Sequence, residues 1–347
     1  MQFDLMKKTV IGSVVFAAAA MGMILYMSAG KVITISDVAQ DEVRRDVQEE
    51  ASSEQGLIFT SDEGGDGDYL CIPLPKECRA EDIIVENHYM DQELCILISE
   101  VESAFYEVNA IAGDCEMIKQ GVCEEIEGGI QLRFMLTGIF EYRTILENND
   151  LYVSFLSPRE LYDKIVVIDP ACGGVDSGYV KDGLFEKEIN LKIAQKLKEK
   201  LDETDIKAYY TRMDDANPVQ EERVKLANET RADMYICIQV DADGDSGVYG
   251  TTAVYNGDYF IPGFGNVELA DLLEREVVTS IRGKALGLKE AGAWEYALKN
   301  ITIPGVSIKT GYITNPQEAV LLGRDEYQEK IASGIFNAIM KAYEETD

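Results

Sequence analysis

Histidine is almost absent from these 347 residues: there is one, His88. A nucleophile that needs a histidine base elsewhere in the chain, or a metal held by two histidines, has no second imidazole to draw on. Basic residues are also scarce, 32 Lys and Arg against 63 Asp and Glu, for a formal net charge of −31. Nucleic acid is thereby excluded as a partner, because its binding depends on Lys and Arg neutralising phosphates. The same field opposes an anionic membrane surface or wall polymer except through a local groove or counterions. The acidic excess is concentrated between Lys31 and Pro158 and reads first as a solvated surface. There is no P-loop, no dinucleotide fingerprint and no internal repeat, so nothing points to a nucleotide-dependent role. None of the seven cysteines has zinc-ribbon spacing.

What is present begins with an uncharged run from Thr9 to Gly30, preceded by Lys7 and Lys8. About 20 apolar residues span a bilayer as a helix, and flanking lysines keep their end in the cytoplasm. The pattern predicts residues 1–8 in the cytoplasm, a single-pass transmembrane anchor over 9–30, and the rest of the chain outside the cell membrane. Ser28-Ala29-Gly30 keeps a cleaved signal peptide as the alternative, although the run is longer than a usual h-region of roughly 7–15 residues. An external location permits disulfides. Cys71, Cys78, Cys95, Cys115 and Cys123 fall in the middle of the chain, and Cys172 and Cys237 in the last part.

The length allows two modest domains and a tether. Residues 31–68 are polar and charged and read as a stalk or linker. Over 69–158 short apolar runs alternate with turn residues, at 94–98, 105–111, 130–136 and 151–155, which predicts a small acidic β-rich domain. Glu147-Asn-Asn-Asp150 joins two of its runs as a hairpin would. The last 30 or so residues of this stretch resemble the AMIN-type β domains that precede some wall enzymes. From residue 160 to 347 strands alternate with helices. Residues 165–169 form a continuous apolar run, as a buried parallel strand does. Ile189, Ile193, Leu197 and Leu201 mark one helical face, and Tyr327, Ile331, Ile335 and Ile339 another. Further strands are predicted at 207–211, 234–240, 251–255 and 306–310, and helices at 221–229, 267–280 and 325–343. The class is α/β, a mostly parallel twisted sheet flanked by helices, and function is expected at the carboxyl ends of the strands.

Those strand ends carry a series of landmarks: Asp169-Pro-Ala-Cys-Gly-Gly-Val-Asp-Ser-Gly178, Gly183-Leu-Phe-Glu-Lys-Glu188, Tyr210-Thr-Arg212, Glu222-Arg223 with Asn228, Cys237-Ile-Gln-Val-Asp-Ala242, Ile308-Lys-Thr-Gly-Tyr-Ile-Thr-Asn315 and Glu318. In this order and spacing the segment resembles the Amidase_3 family, the zinc-dependent N-acetylmuramoyl-L-alanine amidases of cell walls. The resemblance implies hydrolysis of the amide between muramic acid and L-alanine. There a three-ligand Zn²⁺ lowers the pKa of its water and polarises the carbonyl while a glutamate moves the proton.

Carried over residue by residue, the family's first histidine ligand falls on Cys172, its glutamate ligand on Glu186, its second histidine on Gln239 and its catalytic glutamate on Lys309. Only Glu186 is retained. The resemblance therefore implies a degenerate metal site without zinc, with Glu186 paired to Lys309. Asp169, Gly173, Gly174, Asp241 and Asn315 border the implied groove, and the fold explains most such residues as turn formers and buried hydrogen-bonding groups. Trp294 and Tyr296 read first as a packed aromatic pair, with the lining of a groove as the alternative. The expectation is a membrane-tethered, inactive amidase-like protein that engages peptidoglycan or a cell-envelope protein. The alternative is an active amidase with zinc rebuilt on Cys172, Glu186 and Asp176 or Asp241.

Overall fold

A computed structural model describes residues 55–57, 59–60, 69–113 and 116–346. The anchor expected over 9–30 and most of the 31–68 stalk lie outside the described residues. Among those described, no helix is long and apolar enough to cross a membrane. The described residues fall into two compact units, one holding Gln92–Leu156 with the strands before it up to His88, the other Tyr89–Asp91 and Ser157 onward.

The described residues of the first unit form ten strands: β1 (Gln55–Gly56), β2 (Phe59–Thr60), β3 (Tyr69–Pro73), β4 (Ile83–His88), β5 (Glu93–Ser99), β6 (Ile111–Ala112), β7 (Ile118–Ile126), β8 (Gly129–Leu136), β9 (Glu141–Glu147) and β10 (Asp150–Leu156). They form two sheets, in the orders β1-β7-β8-β5-β4 and β2-β6-β3-β10-β9. Alternate residues turn inward, as the pleat requires. Leu70, Ile72, Leu151 and Val153 from one sheet and Ile83, Ile96, Leu132 and Phe134 from the other share one apolar core. The β9–β10 hairpin turns through Asn148 and Asn149 at φ 52° and 67°, the positive pair that a two-residue turn matched to strand twist needs. The apolar run 105–111 differs from expectation. It supplies a short helix, α1 (Ala104–Val108), and only then β6. Tyr106, buried on α1, donates from its hydroxyl to the Pro73 carbonyl at the end of β3 at 2.9 Å and so ties the helix to a strand distant in sequence.

The second unit opens with α2 (Pro158–Leu161) and continues β11 (Ile165–Pro170), β12 (Val180–Lys181), β13 (Leu184–Phe185), α3 (Glu186–Leu201), β14 (Lys207–Tyr210), α4 (Gln220–Glu229), β15 (Met234–Asp241), β16 (Thr251–Tyr255), α5 (Asn266–Ile281), β17 (Ala285–Glu290), α6 (Tyr296–Asn300), β18 (Gly305–Tyr312), α7 (Pro316–Leu322) and α8 (Asp325–Thr346). Six strands make the main sheet, in the order β14-β11-β15-β18-β16-β17. All neighbours are parallel except β16 with β18. One face carries Val166, Ile168, Ile236, Ile238, Val306 and Ile308, which join the apolar stripes of α3, α5 and α8 in a single core. The strand residues between them face the other way. That second face collects Asp169, Cys237, Gln239, Asp241, Ser307 and Lys309. The sequence reading missed β17, whose Ala-Leu-Gly-Leu-Lys-Glu lacks apolar alternation because it is a half-exposed edge strand. It also missed α7, although Asn315-Pro316 is an N-cap followed by proline at the first helical position.

Candidate functional site

The loop leaving β11 is fixed from below. Asp169 is almost wholly buried and accepts from Thr211 Oγ1 at 2.5 Å, from Arg223 Nη1 and from Tyr235 Oη. It lies beneath the loop rather than lining an open groove. Arg212, also buried, donates to the carbonyls of Pro170 at 2.8 Å, Ala171 at 2.9 Å and Lys187 at 2.9 Å, clamping the loop to the start of α3. Gly173 turns at φ 137°, and a Cβ there would stand 2.0 Å from the Ala216 carbonyl oxygen, so no other residue fits. Gly174 donates to Asp215 Oδ1 at 3.0 Å and accepts from Lys187 Nζ at 2.8 Å.

Cys172 and Glu186 meet at Gly178. A Cβ on Gly178 would lie 2.6 Å from Glu186 Oε2 and 2.8 Å from Cys172 Sγ, so both side chains occupy the space that the glycine vacates. Glu186 is the first residue of α3, where the helix dipole favours negative charge. Its Oε2 accepts from the Tyr179 amide at 2.9 Å and its Oε1 from Asn190 Nδ2 at 3.4 Å. Burial nevertheless raises its pKa above the ordinary carboxylate value. Burial, then the charges of Glu186 and Asp176, push the Cys172 thiol up to about 12.

Gln239 and Lys309 are register partners on the parallel strands β15 and β18. Ser307 Oγ donates to Gln239 Oε1 at 2.9 Å. Lys309 Nζ lies 3.5 Å from Asp241 Oδ2 and 4.0 Å from Glu295 Oε1. The expected Glu186–Lys309 pair is thus corrected. Asp241 stands two residues past Gln239 on the same side of β15, Glu295 enters from the loop before α6, and both are nearer carboxylates for the ammonium. Glu295 escaped the sequence reading because no motif marks it. Asn315 serves α7, accepting from the amides of Gln317 at 3.0 Å and Glu318 at 3.1 Å and donating to the Ser246 carbonyl at 3.0 Å. Trp294, beside Glu295, is 81% exposed and Tyr296 is 40% exposed, so they are surface groups and not the packed pair expected.

The donors at this site do not fit zinc. Cys172 and Glu186 are capable ligands, but Gln239 offers a neutral amide and Lys309 an ammonium without a lone pair. At about 4 Å and an effective dielectric of 20, like charges repel by about 4 kcal/mol per unit charge, and a dication doubles it. Among the described residues, Cys172, Glu186 and either Asp176 or Asp241 do not form a trio with ligand atoms mutually within 4.8 Å. The group that does is His88, Glu93 and Cys95, in the first unit.

A family model described as N-acetylmuramoyl-L-alanine amidase matches residues 166–341. An uncharacterized protein of Bacillus subtilis, YqiI, is 36% identical over 182 residues, 52% of this chain and 86% of its own length. The germination-specific N-acetylmuramoyl-L-alanine amidase of the same organism is 30% identical over 225 residues, 61% of this chain and 91% of its own. Among solved structures, the CwlD amidase of Clostridioides difficile in complex with the GerS lipoprotein is 27% identical with a TM-score of 0.49, covering 53% of this chain and 100% of that one.

Proposed function

This chain belongs to the N-acetylmuramoyl-L-alanine amidase family, and from that premise we propose that it is a cell-wall protein that keeps the amidase scaffold but binds peptidoglycan, or a cell-envelope protein, without hydrolysing it. The observation that carries the reading is the ammonium of Lys309 within 4.0 Å of both Asp241 and Glu295, at the position the family gives to its catalytic glutamate. A lysine paired with two carboxylates presents no carboxylate oxygen of its own where the family's glutamate would take a proton. Gln239 beside it removes a metal ligand, and Cys172, with its thiol pushed up to about 12, is a poor thiolate source in the absence of a metal. Buried Asp169, Arg212 and Arg223 keep the loops in place without that chemistry, and exposed Trp294 and Tyr296 offer aromatic faces to a sugar or peptide. Anchoring through residues 9–30 would hold this unit outside the cell membrane, against the wall.

The test is to incubate the purified chain with sacculi and excess zinc, then to measure new L-alanine amino termini and the protein retained on the sacculi. Retention without new termini is the expected result. New termini that disappear in Cys172→Ser would overturn it in favour of an active site rebuilt on Cys172, Glu186 and Asp176 or Asp241.

A further inference from the structure

The chain's one histidine sits in the first unit, in a hairpin that gathers several ligand types on one face. Glu86 and His88 alternate along β4, and Glu93 and Cys95 along β5. The two strands are antiparallel with Glu86 opposite Cys95 and His88 opposite Glu93. Residues two apart on a strand share a face, so all four side chains project together.

Their atoms are arranged as a metal site would arrange them. Cys95 Sγ lies 3.8 Å from His88 Nδ1 and 3.1 Å from Glu93 Oε1, and Nδ1 and Oε1 are 4.0 Å apart. Zinc bonds of about 2.0 Å to nitrogen and oxygen and about 2.3 Å to sulfur set tetrahedral ligands about 3.3–3.6 Å from one another. The three observed separations bracket that range. The other ring nitrogen, Nε2, is 3.3 Å from Glu86 Oε2. A proton on Nε2 directed to that carboxylate would leave the Nδ1 lone pair toward the thiol, the arrangement of a ligating histidine oriented by a carboxylate. Glu93 is oriented in the same way, with Oε2 3.5 Å from Arg133 Nη1 and Oε1 turned to Cys95. Cys95 is buried while His88 keeps 34% of its side chain in solvent, so an ion can enter from the histidine side.

We propose that this hairpin binds a divalent transition ion of the zinc class through His88 Nδ1, Glu93 and Cys95 Sγ, with Glu86 and Arg133 orienting two of the ligands. Sulfur and imidazole select against calcium and magnesium, which take oxygen ligands. Burial and the charges of Glu93 and Glu86 raise the thiol's pKa in the metal-free protein; a dication reverses that field, and binding releases the thiol proton to solvent. Three protein ligands leave a position open to water. The ion would staple β4, the edge strand of its sheet, to β5.

The inference is independent of the amidase-like site, and the test separates the two. Full-length protein is equilibrated with zinc alone, gel-filtered and analysed for metal, then treated likewise with cobalt(II) to look for thiolate-to-metal charge-transfer absorption. Stoichiometric metal and that absorption are expected in the wild type, in Cys172→Ser and in Glu186→Gln. Both should be lost in His88→Gln and in Cys95→Ser. His88→Gln changes a partly exposed side chain, and its circular dichroism checks that the fold is retained. A metal-free wild type, or metal that survives His88→Gln, would overturn the proposal. Metal lost in Cys172→Ser but kept in His88→Gln would move the site to the second unit.

Discussion

Lys309 Nζ stands 3.5 Å from Asp241 Oδ2, so the ammonium on β18 is held by a carboxylate two positions beyond its register partner Gln239 on β15. Glu295 adds a second carboxylate 4.0 Å from the same nitrogen, so one cation here faces two anions.

Restoring zinc chemistry should therefore require all three departures to be reversed. Cys172→His, Gln239→His and Lys309→Glu together, in a His88→Gln background, are expected to add one bound zinc per chain. Lys309→Glu alone is expected to add none and to lower the melting temperature, because it sets a third carboxylate beside Asp241 and Glu295. Metal analysis and thermal melts read both. Zinc uptake by Lys309→Glu in the same His88→Gln background would show that the lysine alone silences the site.

Asp169 and Arg223 form a fully buried ion pair beneath the first loop. Removing one partner of such a pair leaves an uncompensated charge and costs about 3–5 kcal/mol. Arg223→Ala should lose that much in the denaturant unfolding of the second unit, and a loss below about 1 kcal/mol would mean that water replaces the guanidinium.

Burial raises the pKa of Glu318, although its carboxylate accepts from the amides of Gly250 at 3.0 Å and Tyr312 at 2.7 Å. The folded state then holds the proton more tightly than the unfolded one, so this group's contribution to stability is fully present below its unfolded value of about 4.5 and is lost as pH rises through the raised folded value. The melting-temperature advantage of wild type over Glu318→Gln should shrink as pH rises across that window. A growing advantage would contradict the burial effect.

With its thiol pushed up to about 12 against an ordinary value of about 8.5, Cys172 should alkylate slowly. A thiolate fraction lower by about 10³, partly offset by the greater nucleophilicity of a more basic sulfur, predicts a rate roughly thirtyfold or more below that of an unperturbed thiol. Peptide-resolved mass spectrometry after iodoacetamide treatment at pH 8 measures it. Reaction at the rate of a free thiol would contradict the burial of Cys172 first, and then the charge field of Glu186 and Asp176.

The chain has one tryptophan, Trp294, and it is exposed beside Glu295. Binding of muropeptide at this face should shift its fluorescence, and Trp294→Ala should weaken retention on sacculi severalfold without lowering the melting temperature. Unchanged fluorescence at saturation would place binding elsewhere.

Much of this was legible in the sequence because it depends on local pattern. The four-residue spacing of Ile189, Ile193, Leu197 and Leu201 fixes a helical face wherever the helix lies, and the Asn148-Asn149 pair fixes a hairpin. The order of the strand-end landmarks identified the scaffold and located Cys172, Glu186, Gln239 and Lys309. Partnership was not legible, because a side chain's ion pairs are chosen by what the sheet brings within reach. The sequence suggested Glu186 for Lys309; the register of β15 and β18 supplied Asp241, and the loop before α6 supplied Glu295. The first unit repeats the lesson. His88, Glu93 and Cys95 have no spacing that a metal motif would recognise, and only antiparallel pairing, which sets residue 88 opposite 93 and 86 opposite 95, puts their donor atoms around one point.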